Sequence, residues 1–120
     1  MTKERRKYAR LDAGLQVSFE RRGPGTTLKG KGVTKNISAH GLCFASGVAL
    51  GVGEKVSMLL SLPTGETISL ESRVKWVHAV HTTSCEIGAE ISDITVEDQN
   101  RYLLFVCDLM YDRLRTLQLF

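Results

Sequence analysis

A chain of 120 residues and 13.3 kDa, with 42% hydrophobic and 24% charged side chains, has the size and balance of one soluble domain around one core. The net charge of +3 hides a split: residues 1–35 carry ten Lys/Arg against three Asp/Glu, a surplus of +7, and the remainder carries −4. That polarity predicts a localised positive surface for a small anion or a phosphate-rich partner. With no apolar run of eighteen residues and no apolar stretch behind the charged N-terminus, the sequence predicts neither a membrane helix nor a secretory signal, hence a cytoplasmic protein without membrane insertion.

In chain order, a basic leader over residues 1–12 is followed by Leu15–Phe19, which alternates apolar and polar like a half-buried strand. Gly23–Thr27 reads as a turn, and a second strand is predicted near Gly32–Ile37. Gly41 marks a reversal or bulge before Leu42-Cys43-Phe44. Lys55–Leu62 is a core strand, Pro63–Glu66 a tight turn, and Thr67–Val77 the returning strand of a hairpin. Glu86–Ile91 supplies the last strand. From Thr95 the period changes: Leu103, Val106, Cys107, Met110, Leu114 and Leu117 fall at helical spacing, with Thr95 and Asp98 resembling a capping box. Phe105 and Leu109 lie off that stripe, where core packing is preferred over a barrel-mouth cover or a dimer contact. The three cysteines, Cys43, Cys85 and Cys107, form no C-x-x-C and are expected as buried, small hydrophobes rather than disulfides or zinc ligands. The division is a leader over 1–12, a barrel or sandwich over 13–94 and a helix over 95–117.

Two polar clusters carry the chemistry. Arg6 and Arg10, with Arg5 beside them, present planar, permanently charged forks that grip phosphate, match the O6 and N7 acceptors of guanine, or stack on a purine. Arginines four apart reach one ligand from a turn or a helical arc; on a straight strand they stand roughly 13 Å apart. In Asn36-x-Ser38-x-x-Gly41, short neutral side chains suit a base edge or a phosphate oxygen, and the glycine allows a turn or a close backbone approach. Alone, each cluster is what solvated leaders and strand ends look like; the combination is more specific.

In combination they resemble the PilZ domain family of cyclic di-GMP receptors. The family's R-x-x-x-R followed by [D/N]-x-S-x-x-G is matched by Arg6…Arg10 and Asn36…Ser38…Gly41. The likeness continues through Glu4-Arg5-Arg6, Arg10-Leu11, Arg73–Val77 and Ile87–Ile91, spanning roughly residues 4–113, and Asn36 stands where many members have Asp. The resemblance implies an all-β fold, a six-stranded antiparallel Greek-key barrel with a C-terminal helix. It implies that Arg6 and Arg10 hold phosphates and guanine edges, and that Asn36, Ser38 and Gly41 contact a guanine from the barrel surface. Arg5 resembles the variants that hold two ligand molecules per protomer. It implies no cofactor, and a non-enzymatic receptor whose leader folds over the barrel and signals to a partner protein in motility, exopolysaccharide or virulence control.

Other residues invite weaker readings. His40 lies inside the motif and is either a ligand contact or an exposed loop residue. Trp76 is read as a core residue at the barrel wall, with shielding of a bound purine as the alternative. His78 and His81, three apart on a strand, face opposite sides and lack further ligands, so no metal is predicted. Neither a nucleophile elbow nor paired carboxylates are present, so no catalytic residue is predicted. The competing functions are a small barrel for single-stranded nucleic acid, disfavoured because the basic third holds only Tyr8 and Phe19 as aromatics, and a nucleotide-independent adaptor. The oligomeric state is left as monomer or homodimer.

Overall fold

The computed structural model describes residues 10–23 and 25–118. Among the described residues seven strands precede one helix: β1 (Leu11–Asp12), β2 (Gln16–Gly23), β3 (Thr26–Ser38), β4 (Gly41–Ser46), β5 (Lys55–Ser61), β6 (Thr67–His81), β7 (Ser84–Ile94) and α1 (Val96–Gln118). Every pairing is antiparallel. Around the barrel the order is β3, β2, β5, β6, β7, β4, and β4 pairs back onto β3, so the six long strands close. The predicted six-stranded antiparallel barrel with a C-terminal helix is therefore the observed fold.

Closure depends on β3. Its first half pairs with β2 and its second half with β4, with a register shift between Thr34 and Asn36. Such an extra residue bends a strand and increases its twist, which is how one strand serves two neighbours in a small barrel. Sequence periodicity predicted only Gly32–Ile37 of this strand. Its opening half, Thr26–Lys31, has no buried residue and so no apolar alternation to reveal it. The tips of β6 and β7 are longer than predicted for the same reason: Val77 to Thr83 are all exposed.

Alternation is cleanest along Thr67–Val74, where every second residue is buried. Val17 and Phe19, Ile37, Leu42 and Phe44, Val56, Met58 and Leu60, Ile68, Leu70 and Val74, and Ile87 and Ala89 fill the barrel. The rings of Phe19 and Phe44 meet across it at 5.3 Å.

The helix begins as its sequence indicates: the Thr95 hydroxyl accepts from the Asp98 amide (3.2 Å). The Asp98 carboxylate accepts from the Ser69 amide of β6 (3.0 Å) and pairs with Arg101, so this end of the helix is tied to the barrel. The predicted apolar stripe requires correction. Tyr102 and Val106 enter the core, Phe105 and Leu109 pack against it, and Cys107, Met110 and Leu114 face solvent. The predicted face did not include Tyr102, whose ring is the most deeply buried of the helix. Cys107 is accordingly exposed and Cys85 half-buried, and of the three thiols only Cys43 is buried.

Candidate functional site

Thr34 and Tyr102 locate the site. Thr34 is buried; its hydroxyl donates to the Ala13 carbonyl (2.5 Å) and accepts from the Leu15 amide (2.7 Å). The chain leaving the leader is thereby fastened to β3. Just upstream, β1 pairs Leu11 with Ile37 and Asp12 with Asn36. Continued by one position, this register sets Arg10 across from Ser38.

Paired positions on neighbouring strands share a face. Ile37, Leu42, Phe44, Val74, Ile87 and Ala89 point into the barrel, so the residues between them point out. One outer row runs Asp12, Asn36, Cys43, Gly88, Trp76 across β1, β3, β4, β7 and β6. The next row runs Ser38, Gly41, Glu90, Arg73. Asn36 and Ser38 therefore stand side by side at one edge of a floor of small residues, with Trp76 at the other edge. Trp76 is not a core residue. A register shift between Val74 and Trp76 turns it to the outer face, where its indole lies over Gly88 and is half-buried. A Cβ at Gly88 would occupy the indole's place.

Gly41 has a structural cause of its own. Its φ is not positive, and a Cβ there would sit 2.5 Å from the Ala89 carbonyl oxygen, so glycine lets β4 approach β7. The turn joining Ser38 to Gly41 is held from below. The Tyr102 hydroxyl, on a side chain 1% exposed, donates to the Ser38 carbonyl (2.6 Å) and lies 3.2 Å from the Gly41 carbonyl. Burial pushes the Tyr102 phenol well above its ordinary range, against the smaller opposing effect of the bond to Ser38. The Ser38 hydroxyl donates weakly to the Gly41 carbonyl (3.4 Å), which leaves it a poor internal bond to exchange for a ligand. The His40 side chain is exposed at the turn, and its carbonyl accepts from the Ile91 amide (2.8 Å).

Charge surrounds the floor. Lys35 pairs with Glu86 (2.5 Å) and Lys75 with Glu90 (3.7 Å). Burial pushes the Cys43 thiol up, the Glu86 carboxylate adds to this, and the charges of Lys35 and Arg10 oppose it. Arg10 thus acts electrostatically on the floor itself. Arg113 of α1 donates to the Asp12 carbonyl (2.5 Å), so the helix grips the leader's end as well as the motif's turn.

The structure brings together Arg10, Asn36, Ser38, Gly41 and Trp76, with His40 at the adjoining turn; Arg5 and Arg6 lie outside the described residues. It adds residues that sequence reasoning did not select: Cys43 and Gly88 in the floor, and Thr34, Tyr102 and Arg113 behind it. Strand register places Cys43, Gly88 and Thr34, and the docking of α1 places Tyr102 and Arg113; a single sequence displays neither. His78 and His81 are exposed on the distal hairpin, and among the described residues no group of three or more His, Cys, Asp or Glu is placed to hold a metal ion.

The family model of the PilZ domain matches residues 4–106. The chain belongs to the PilZ domain family. Its fold is similar to the PilZ domain of YcgR from Escherichia coli, solved with c-di-GMP (TM-score 0.71, 11% identity, 96% of this chain and 98% of that one). It is similar to the MrkH–c-di-GMP complex of K. pneumonia (TM-score 0.75, 18% identity, 96% and 56%). It also resembles MotI/DgrA, an inhibitor of motility from Bacillus subtilis (TM-score 0.71, 23% identity, 91% and 52%). The chain spans about half the length of the MrkH and MotI/DgrA chains, and at these identities the likeness establishes the fold. No curated protein matches the sequence. Among the described residues no helix is long and apolar enough to cross a membrane.

Proposed function

We propose that this PilZ domain is a non-enzymatic, cytoplasmic receptor for cyclic di-GMP. The observation that carries the reading is the β1–β3 register, which sets the Arg10 position across from Ser38 and beside Asn36, over an outward floor built from Gly41, Cys43 and Gly88. The two sequence clusters then address one ligand from two sides. Asn36 and Ser38 offer neutral donors and acceptors to a guanine edge, the Trp76 indole seated on Gly88 offers a flat face to a base, and Arg10 with Arg6 and Arg5 supplies forks for phosphates and purine edges. Support comes from the family membership and from the c-di-GMP complexes of YcgR and MrkH, which share the fold.

The reading extends to mechanism. The leader closes over the floor when ligand arrives, at a stoichiometry of two ligand molecules per protomer set by Arg5. Because Tyr102 and Arg113 fasten α1 to the motif turn and to Asp12, closure is transmitted to the helix and from there to a partner protein. Isothermal calorimetry with cyclic di-GMP tests this. Saturable binding with two ligands per chain is expected, weakened about tenfold or more by Arg6→Ala or Arg10→Ala, since each removes a charge-assisted bond worth roughly 1.5–3 kcal/mol. Absence of binding at ligand concentrations of about 100 µM, or binding indifferent to both substitutions, refutes it.

A further inference from the structure

The apolar residues of α1 form two faces, and the barrel uses one. Tyr102, Phe105, Val106 and Leu109 pack inward. On the opposite side Leu104 (63% exposed), Met110 (41%), Tyr111 (62%) and Leu114 (55%) are open, together with Cys107. Residues 104, 107, 111 and 114 repeat at spacings of three, four and three, the 3.5-residue period of a helix seam made to pack lengthwise on another helix. An exposed, continuous stripe of this kind marks an interaction surface.

The flanking charges identify the occupant. At 100° per residue, Glu97 in the first turn and Arg115 in the last lie on the same flank of the stripe, at opposite ends. Antiparallel packing of two identical helices brings like flanks together, so Glu97 of each copy meets Arg115 of the other. Parallel packing would bring opposite flanks together and leave both charges without this match. Opposed helix dipoles favour the same arrangement. We propose that a second copy of this chain covers the stripe, as an antiparallel, two-fold α1–α1 dimer. Its axis passes near residue 106, midway between Glu97 and Arg115, which sets the two Cys107 residues about 3 Å apart along the helices, two residues' rise.

Light scattering and sedimentation of the full chain at about 10–100 µM test the proposal without any nucleotide, so its outcome is separate from the ligand reading. A dimer is expected, converted to monomer by the double substitution Leu104→Glu, Leu114→Glu with an unchanged circular dichroism spectrum, because neither side chain packs on the barrel. Glu97→Lys and Arg115→Glu should each weaken the dimer several-fold at low salt, and the two together should restore it. Mild oxidation should give a disulfide-linked dimer that Cys107→Ser abolishes. A monomer throughout the concentration range overturns the proposal, as does a dimer indifferent to the leucine substitutions. Failure of the double charge swap to restore association overturns the antiparallel register.

Discussion

Removing the Tyr102 hydroxyl isolates the tie between helix and motif. Tyr102→Phe keeps the ring in the core and deletes the donor serving the Ser38 carbonyl at 2.6 Å, with Gly41 at 3.2 Å. The ring is 1% exposed, so no solvent replaces the lost donor without rearrangement. A net hydrogen bond is worth about 0.5–1.5 kcal/mol and an unsatisfied buried carbonyl costs about 1–3 kcal/mol, which sets the expected destabilisation at about 1–3 kcal/mol. For a domain of this size that is a melting point lower by roughly 4–12 °C. Urea unfolding should show a lower midpoint at unchanged slope, since the surface exposed on unfolding is the same. Tyr111→Phe is the control, because Tyr111 is 62% exposed and should change stability by less than about 0.5 kcal/mol. Affinity for cyclic di-GMP should fall in Tyr102→Phe, by less than in Arg10→Ala, because the phenol supports the turn from behind. Stability equal in the two tyrosine variants would refute the reasoning.

Thr34→Val retains shape but removes both the bond to the Ala13 carbonyl and the acceptor for the buried Leu15 amide. It should cost about 1–3 kcal/mol in urea unfolding and weaken ligand binding by loosening the leader's exit. The Asp98 carboxylate is held below its ordinary range by Arg101 first and the Ser69 amide second. The folded state therefore binds fewer protons there than the unfolded chain. The stabilisation is present above the unfolded carboxylate pKa of about 3.9 and disappears as pH falls through the folded value, so Asp98→Asn should flatten the acid limb of stability against pH. With a thiol reagent at neutral pH, in the Leu104→Glu, Leu114→Glu variant that leaves the helix stripe uncovered, Cys107 should react first and Cys43 most slowly, since Cys43 is 3% exposed and its thiol is pushed up by burial; adding Cys107→Ser should remove the fast phase.

The fold was legible wherever burial wrote a period into the sequence. Gln16–Phe19, Lys55–Leu62 and Thr67–Val74 alternate because one face is wet and the other packed, and the turn at Pro63–Glu66 follows from its residue types. Where the inward positions are only half-buried or one is a glycine, as with Leu28 and Gly30 in Thr26–Lys31, or where both faces are exposed, as at the tips of β6 and β7, no clear period exists to be read. In α1 two apolar stripes lie on one helix, and spacing alone does not say which of them meets the barrel. The polar halves of the site were visible as motifs, yet their convergence depends on the β1–β3 pairing, and the outer face they share with Trp76 on the register shifts at Thr34/Asn36 and Val74/Trp76. Trp76 was misplaced because the second shift reverses its face.

The central claim is that ligand lies on the outer face between Asn36-Ser38 and Trp76. Trp76 is the only tryptophan in the chain, so its fluorescence reports that face alone. Titration with cyclic di-GMP should change the emission saturably, at a midpoint matching calorimetry, and Ser38→Ala or Arg10→Ala should shift both midpoints upward together. Calorimetric binding with an unchanged Trp76 emission, or with midpoints indifferent to Ser38 and Arg10, would place the ligand elsewhere and contradict the account.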